Sequence, residues 1–270
     1  MKQAELYERF RALHEQPGTF IMPNPWDGAS ALLLKQAGFK AFGTSSAAVA
    51  SALGRLDGAH AVSREEHLEN AQLIGKLTDL PVNGDFEDGY GETPADVAAT
   101  VEKAIAAGLA GIGIEDTSAN PANPIRSFDD AVARVREAAK VAKGRIVLTG
   151  RTDNYLQGRP DLDDTIKRLV AFAEVGADVL YAPYPPDIAA VKAIVKAVAP
   201  KPVNIVGGGI PLEELKKIGV KRISMGVALY TRVMGDLKKA AQELANGDLA
   251  SATEGISFGE LKKLISAAPR

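Results

Sequence analysis

Several apolar runs of this chain end on acidic residues. Leu80-Pro81-Val82 leads to Asp85-Phe86-Glu87-Asp88, Ala110-Gly111-Ile112-Gly113-Ile114 to Glu115-Asp116, and Arg145-Ile146-Val147-Leu148-Thr149-Gly150 to Arg151-Thr152-Asp153. Carboxylates brought together out of water are costly unless something neutralises them. A divalent cation with oxygen ligands does so, and an arginine across the pocket offers the planar fork that a carboxylate matches. Such a set stabilises negative charge as it develops on an oxygen, without an organic cofactor.

The elements that must gather these residues follow from the pattern of the chain. Eight β-branched or apolar runs, at 19–22, 41–44, 80–84, 111–114, 145–149, 178–181, 202–206 and 222–225, alternate with Ala/Lys/Glu-rich helical stretches at 63–75, 94–107, 129–142, 163–175, 186–198 and 212–218. Alternating strands and helices read as repeated βα units on a parallel sheet. Eight units with no nucleotide fingerprint after the first strand predict an α/β fold, a closed (β/α)8 TIM-type barrel forming a single domain over residues 1–270. Gly38, Gly108, Gly176 and Gly219 stand where helices stop before the next strand, as left-handed caps. Helical patterns at Tyr230–Leu244 and Phe258–Ala267 exceed what the eighth unit needs, so extra C-terminal helices are expected over about 230–270.

In such a barrel the chemistry sits at the C-terminal mouth, on the residues that end each strand. Those residues are Asn24 to Asp27, Ser45 and Ser46, Asp85, Glu87 and Asp88, Glu115 and Asp116, Arg151 and Asp153, Tyr181 and Tyr184, Asn204, and Ser224. Any one acid reads equally well as a helix cap or a solvated loop residue. Together, at adjacent strand ends and facing one arginine, they read as a site.

Composition narrows the partners. A formal net charge of -2 and 24% charged residues provide no basic field for nucleic acid or an anionic membrane, which favours small molecules. The absence of cysteine removes disulfides, thiolate metal sites and thiol nucleophiles. The first eight residues form a charged helical pattern without an apolar leader core, and no run approaches ~18 apolar residues, so the cytoplasm is the expected compartment.

Gly43-Thr44-Ser45-Ser46, Asp85-Phe86-Glu87-Asp88-Gly89-Tyr90-Gly91, Ile114-Glu115-Asp116 and Arg151-Thr152-Asp153, in that order and spacing, resemble the isocitrate lyase / phosphoenolpyruvate mutase superfamily over roughly residues 18–235. The resemblance implies an (α/β)8 barrel, a C-terminal helix swapped within dimers, and a homo-oligomer such as a dimer or homotetramer. It also implies an enolate of pyruvate or a related 2-oxo acid held on Mg2+ or Mn2+. By position, Asp85 is the nearest metal ligand, with Glu87 and Glu115 holding metal-bound waters. Asp57, in Leu53-Gly54-Arg55-Leu56-Asp57, matches an acid at the start of a mobile segment, and Ser45 with Ser46 matches the substrate-carboxylate site. Arg151 pairs with a carboxylate or enolate oxygen. Asn204 matches an asparagine near the substrate, while Asn123 and Tyr181 are further substrate-binding candidates. Catalytic work falls on Arg151, Asp57 and Glu115.

Departures from the pattern narrow the reaction. The lyase loop with its cysteine and histidine is replaced by Thr117-Ser118-Ala119-Asn120-Pro121-Ala122-Asn123-Pro124, which disfavours a standard isocitrate or 2-methylisocitrate lyase. Tyr181-Ala182-Pro183-Tyr184 replaces both the glutamate of the lyases and the histidine of the mutase. Glu87 stands where most members have aspartate, and Asp88 where they have threonine. The expectation is an Mg2+-dependent lyase or decarboxylase cleaving a C-C bond of a small 2-oxo or 2-hydroxy dicarboxylate. The alternatives are C-P chemistry of the mutase or phosphonopyruvate hydrolase kind, and a silent 2-oxo acid binding protein.

The remaining candidates read more plainly. His14, His60 and His67 end no strand and are expected at the surface, with His60 alone retained as a catalytic candidate. Gly207-Gly208-Gly209 reads as a flexible loop, Trp26 and Tyr90 as pocket wall or core, and Tyr181 as a buried structural tyrosine.

Overall fold

Eight short runs become strands: β1 (Phe20–Met22), β2 (Phe42–Gly43), β3 (Val82–Asp85), β4 (Gly111–Glu115), β5 (Val147–Arg151), β6 (Val179–Tyr181), β7 (Val203–Val206) and β8 (Arg222–Ser224). The computed structural model describes residues 2–269; Met1 and Arg270, the ends of the expected domain, lie outside the described residues. All neighbouring strands are parallel, in the order β1-β8-β7-β6-β5-β4-β3-β2. Between β1 and β2 the Gly43 amide donates to Pro23 O at 3.1 Å, and Asn24 Nδ2 donates to Thr44 O at 2.8 Å. These two bonds draw the sheet's ends together, and the expected eight-stranded barrel is the fold.

The helices are α1 (Gln3–Glu15), α2 (Gly28–Gln36), α3 (Ser46–Ala52), α4 (Arg64–Thr78), α5 (Pro94–Ala106), α6 (Phe128–Ala142), α7 (Leu162–Glu174), α8 (Ile188–Val198), α9 (Leu212–Lys217), α10 (Ala228–Ala245) and α11 (Phe258–Ser266). Side-chain caps begin many of them, including Asp27, Ser63, Thr93 and Asp187, each worth about 1 kcal/mol. Gly38, Gly108, Gly176 and Gly219 have positive φ, as their places after helices predict. No helix among the described residues is long and apolar enough to cross a membrane.

Two apolar zones position the site. The larger lies between barrel and helices, where Ile112, Ile114, Leu148, Leu180 and Ile205 point outward. The smaller closes the barrel's lower end, where Leu6 and Phe10 of α1 meet Met22, Ala41, Ala110, Val147 and Val179. Gln3 Nε2 ties α1 down by donating to Leu109 O at 2.9 Å and Arg145 O at 2.7 Å. A Cβ on Gly111 would stand 2.5 Å from Phe10 Cε1, so glycine is what lets that ring enter.

Three differences from the sequence reading matter. Strands β3, β4 and β5 run further than expected, so Asp85, Glu115 and Arg151 are their last residues and take their direction from the ladder, with Glu115 opposite Arg151. The fourth helix continues through Gly75 to Thr78, because that glycine backs onto Val82, with its Cβ position 3.6 Å from Val82 Cγ2. Two histidines expected at the surface are not there: His67 is buried beside Phe86 and Tyr90, and His14 lies partly buried between Phe10, Phe20 and Arg222. The extra helices α10 and α11 exist and have no buried residue, with Leu237 58% and Phe258 75% exposed.

Candidate active site

At the barrel mouth one guanidinium meets three carboxylates. Asp153 takes Nε and Nη2 of Arg151 at 2.5 and 2.7 Å, while Nη1 lies 3.0 Å from Glu115 Oε2 and 3.6 Å from Asp85 Oδ1. The Tyr181 ring lies 5.3 Å from the guanidinium carbon. Burial works against the Arg151 charge, yet Asp153, Glu115 and Asp85 outweigh it and hold the group well above the ordinary arginine value. Glu115 is pushed well up, first by burial and then by Asp153 and Asp85, against the pull of Arg151. Burial likewise raises Asp153.

Asp85 is held by the turn from β2 into α3. Its backbone N–H donates to Thr44 Oγ1 at 2.8 Å, and its Oδ2 accepts from the Ser46 amide at 3.0 Å. Ser45 caps α3, its hydroxyl accepting from the Ala48 amide. Asp57 sits at the exposed rim, where burial of its carboxyl and the charge of Asp85 raise it while the Ser46 hydroxyl opposes them. Ser46, Asp57, Arg151 and Leu156 line two adjoining cavities. The inner one, about 190 Å3, also touches Ser45, Asp85, Tyr181 and Asn204, and the outer one, about 360 Å3, touches Glu87, Glu115 and His60.

The other acids have separate partners. Asp116 accepts from Thr152 Oγ1, the Asp153 amide and Arg168 Nη1 at 2.7, 2.9 and 3.1 Å, so it braces the site from behind. Asp88 takes Arg126 Nη2 at 2.6 Å and His60 Nε2 at 2.7 Å. Glu87 has positive φ and turns its carboxylate to Tyr90 Oη and the His60 amide, both at 3.2 Å, facing only the outer cavity. Asn123 is exposed in the loop after β4, where Ser118 Oγ donates to its carbonyl, and it lines neither cavity. The sequence reading missed Arg126, Arg168 and Arg222; a buried acid implies a partner, but the sequence does not say which one.

Whether a divalent cation suits the site is a matter of its donors. Asp85, Glu115 and Asp153 face one guanidinium, and the donors they offer are all oxygen. Among the described residues no three His, Asp or Glu side chains form a closed ligand set. Oxygen donors of this kind would suit a hard divalent cation such as Mg2+, which keeps several waters and takes one or two protein carboxylates. Asp85 would hold it directly, and Glu115 through water.

Residues 10–245 match the family described as phosphoenolpyruvate phosphomutase. The chloroplastic carboxyvinyl-carboxyphosphonate phosphorylmutase of Arabidopsis thaliana is 31% identical, over 97% of this chain and 82% of its own. A Burkholderia cenocepacia J2315 structure described as a lyase/mutase is 40% identical, with TM-score 0.93 over 98% of this chain and 97% of its own. Oxaloacetate acetylhydrolase, solved with its product oxalate, is 26% identical, with TM-score 0.89 over 99% and 96%. Other relatives are named as a 2-methylisocitrate lyase and oxaloacetate decarboxylases. The chain is an enzyme of the phosphoenolpyruvate phosphomutase family, within the isocitrate lyase / phosphoenolpyruvate mutase superfamily.

Proposed function

We propose that this enzyme is a Mg2+-dependent lyase or decarboxylase, cleaving a C-C bond of a small 2-oxo or 2-hydroxy dicarboxylate through a pyruvate-type enolate. The observation that carries this is the placement of Arg151 Nη1 between Glu115 and Asp85 at the wall of an inner cavity of about 190 Å3. That volume is below the usual range for drug-sized ligands, in keeping with a substrate of a few carbons. The names of relatives acting on oxaloacetate or yielding oxalate support the same class.

A bound divalent cation supplies Lewis-acid stabilisation of charge at the oxygen beside the breaking bond. Arg151 pairs with the substrate carboxylate and is kept from rotating by Asp153. Ser45, Ser46 and Asn204 line the same cavity. Burial raises Tyr181, so its phenol stays protonated and can return a proton to the carbon left behind. Asp57, raised at the rim and shared by both cavities, is the second proton-handling group. The exposed apolar side chains of α10 and α11 pack, in this reading, on a second copy in a dimer or tetramer, and the enzyme works in the cytoplasm.

The test is product release with Mg2+ from oxaloacetate, 2-methylisocitrate, isocitrate, malate-type acids and phosphonopyruvate, each against Asp85→Ala. Turnover of a carbon substrate that the variant lacks supports the proposal. Turnover of phosphonopyruvate alone would replace it with C-P chemistry. Oxalate binding with no turnover anywhere would make the protein a 2-oxo acid binder.

A further inference from the structure

Arg222 opens β8 at the floor of the inner cavity, 1% exposed, and the chemistry above makes no use of it. Its Nε donates to Asn204 Oδ1 at 2.9 Å, its Nη2 to Thr149 Oγ1 at 3.0 Å, and its Nη1 lies 3.3 Å from His14 Nε2. These partners are neutral. His14 Nδ1 lies 2.8 Å from Phe10 O, which fixes that nitrogen as the donor and leaves Nε2 to accept from Arg222. Burial first, then the Arg222 charge, lowers His14 to about 3, so it carries no charge at neutral pH.

Every carboxylate ion pair of an arginine among the described residues involves some other arginine. Burial lowers Arg222 to about 9, still a cation at neutral pH. A buried charge without a counter-ion is unfavourable, and an apolar residue there would ordinarily make a more stable protein. The missing counter-charge therefore points to an anion from outside the chain. Arg222 acts on Asn204 as well. Arginine only donates, so it takes Oδ1 of the amide and turns Nδ2 toward Ser224 Oγ at 3.0 Å.

We infer that Arg222 is a positioning residue for an anionic substrate group: its unpaired charge draws a carboxylate to the cavity floor, and its bond to Asn204 presents amide N–H rather than carbonyl to that group. This rests on the carboxylate-binding reading proposed above. It predicts a preference for a dianion over a monoanion of the same shape, since a second carboxylate would meet the Arg222 charge.

Calorimetric titration with oxalate and with oxamate, its mono-amide, in the presence of Mg2+ separates the two ideas. Failure of the unaltered enzyme to bind oxalate would sink the carboxylate-binding reading itself. Given binding, Arg222→Gln should weaken oxalate by about tenfold or more, as expected for loss of a charge partner, with oxamate affected much less. Arg222→Met, an apolar residue of similar length, should do the same, which keeps the test open if Arg222→Gln does not fold. Oxalate affinity within twofold of the unaltered enzyme in the folded variants, or equal losses for oxalate and oxamate, would overturn the inference.

Discussion

Asp153 holds Arg151 at two points, Nε at 2.5 Å and Nη2 at 2.7 Å, leaving Nη1 as the terminal nitrogen aimed at Glu115 and Asp85. The fork thus divides its work between an internal clamp and the cavity wall. A lysine is a point charge on a flexible stem and cannot do both. Arg151→Lys is expected to lose about 2 kcal/mol of transition-state stabilisation, on the order of 30-fold in kcat/KM, the usual scale for a charged hydrogen bond. Circular dichroism should be unchanged; an undiminished kcat/KM would remove Arg151 from the machinery.

The segment carrying Asp57 is fastened by His60, whose Nε2 lies 2.7 Å from Asp88 and whose ring stacks on Tyr90 at 4.6 Å. The bond to Asp88 raises His60 against burial, and His60 with Arg126 lowers Asp88 against burial. A raised histidine contributes stability that is complete below its ordinary value of about 6.5 and is lost as pH rises through the raised value. A lowered carboxylate contributes stability present above its ordinary value of about 4 and lost as pH falls further. The fastening is therefore strongest between about pH 4 and 6.5. Protection factors from hydrogen exchange over residues 54–63 should fall on going to alkaline pH. His60→Gln should flatten that dependence, and an equal fall in the variant would show that another group is responsible.

Asp88→Asn keeps the shape and removes the charge shared by His60 and Arg126, which come from the loops after β2 and β4. Both loops should become more sensitive to protease, and kcat/KM should fall by about tenfold, the scale of one weakened buried charged contact. Loosening of one loop alone would show that Asp88 does not join them.

At the other end of the barrel, a Cβ on Gly111 would meet Phe10 Cε1 at 2.5 Å and Asn83 Oδ1 at 2.6 Å. Neither atom sits on a freely moving chain end, because Phe10 is fully buried. Gly111→Ala should destabilise by about 1–3 kcal/mol through overpacking, read as a drop of several degrees in Tm. An unchanged Tm would mean that α1 is looser than its contacts indicate.

Strand number, order of units and helix-ending glycines were legible because each is local: a period, a turn, a cap. The mouth residues were legible for the same reason, since a strand end is a sequence position. The pairing of acids was not. Asp116 goes to Arg168 and Asp88 to Arg126, partners distant in sequence, so acids that read as one cluster around Arg151 divide among three arginines. His67 read as a surface residue because its own helix is polar nearby; its burial comes from Phe86 and Tyr90, which belong to the loop after β3. Arg222 sits at the start of a strand, where a sequence search for chemistry at strand ends does not look.

Phe10 gives the barrel a stopper as well as a core residue. With the lower end filled by α1, the reactant and the two products of the proposed cleavage would all exchange through the mouth, where Asp57 and Leu156 border both cavities. Traffic is last in, first out: the fragment nearer the mouth departs before the one seated on the floor. That makes the deeper fragment the competitive product inhibitor, and the order of release becomes a property of a helix remote from the bond that breaks.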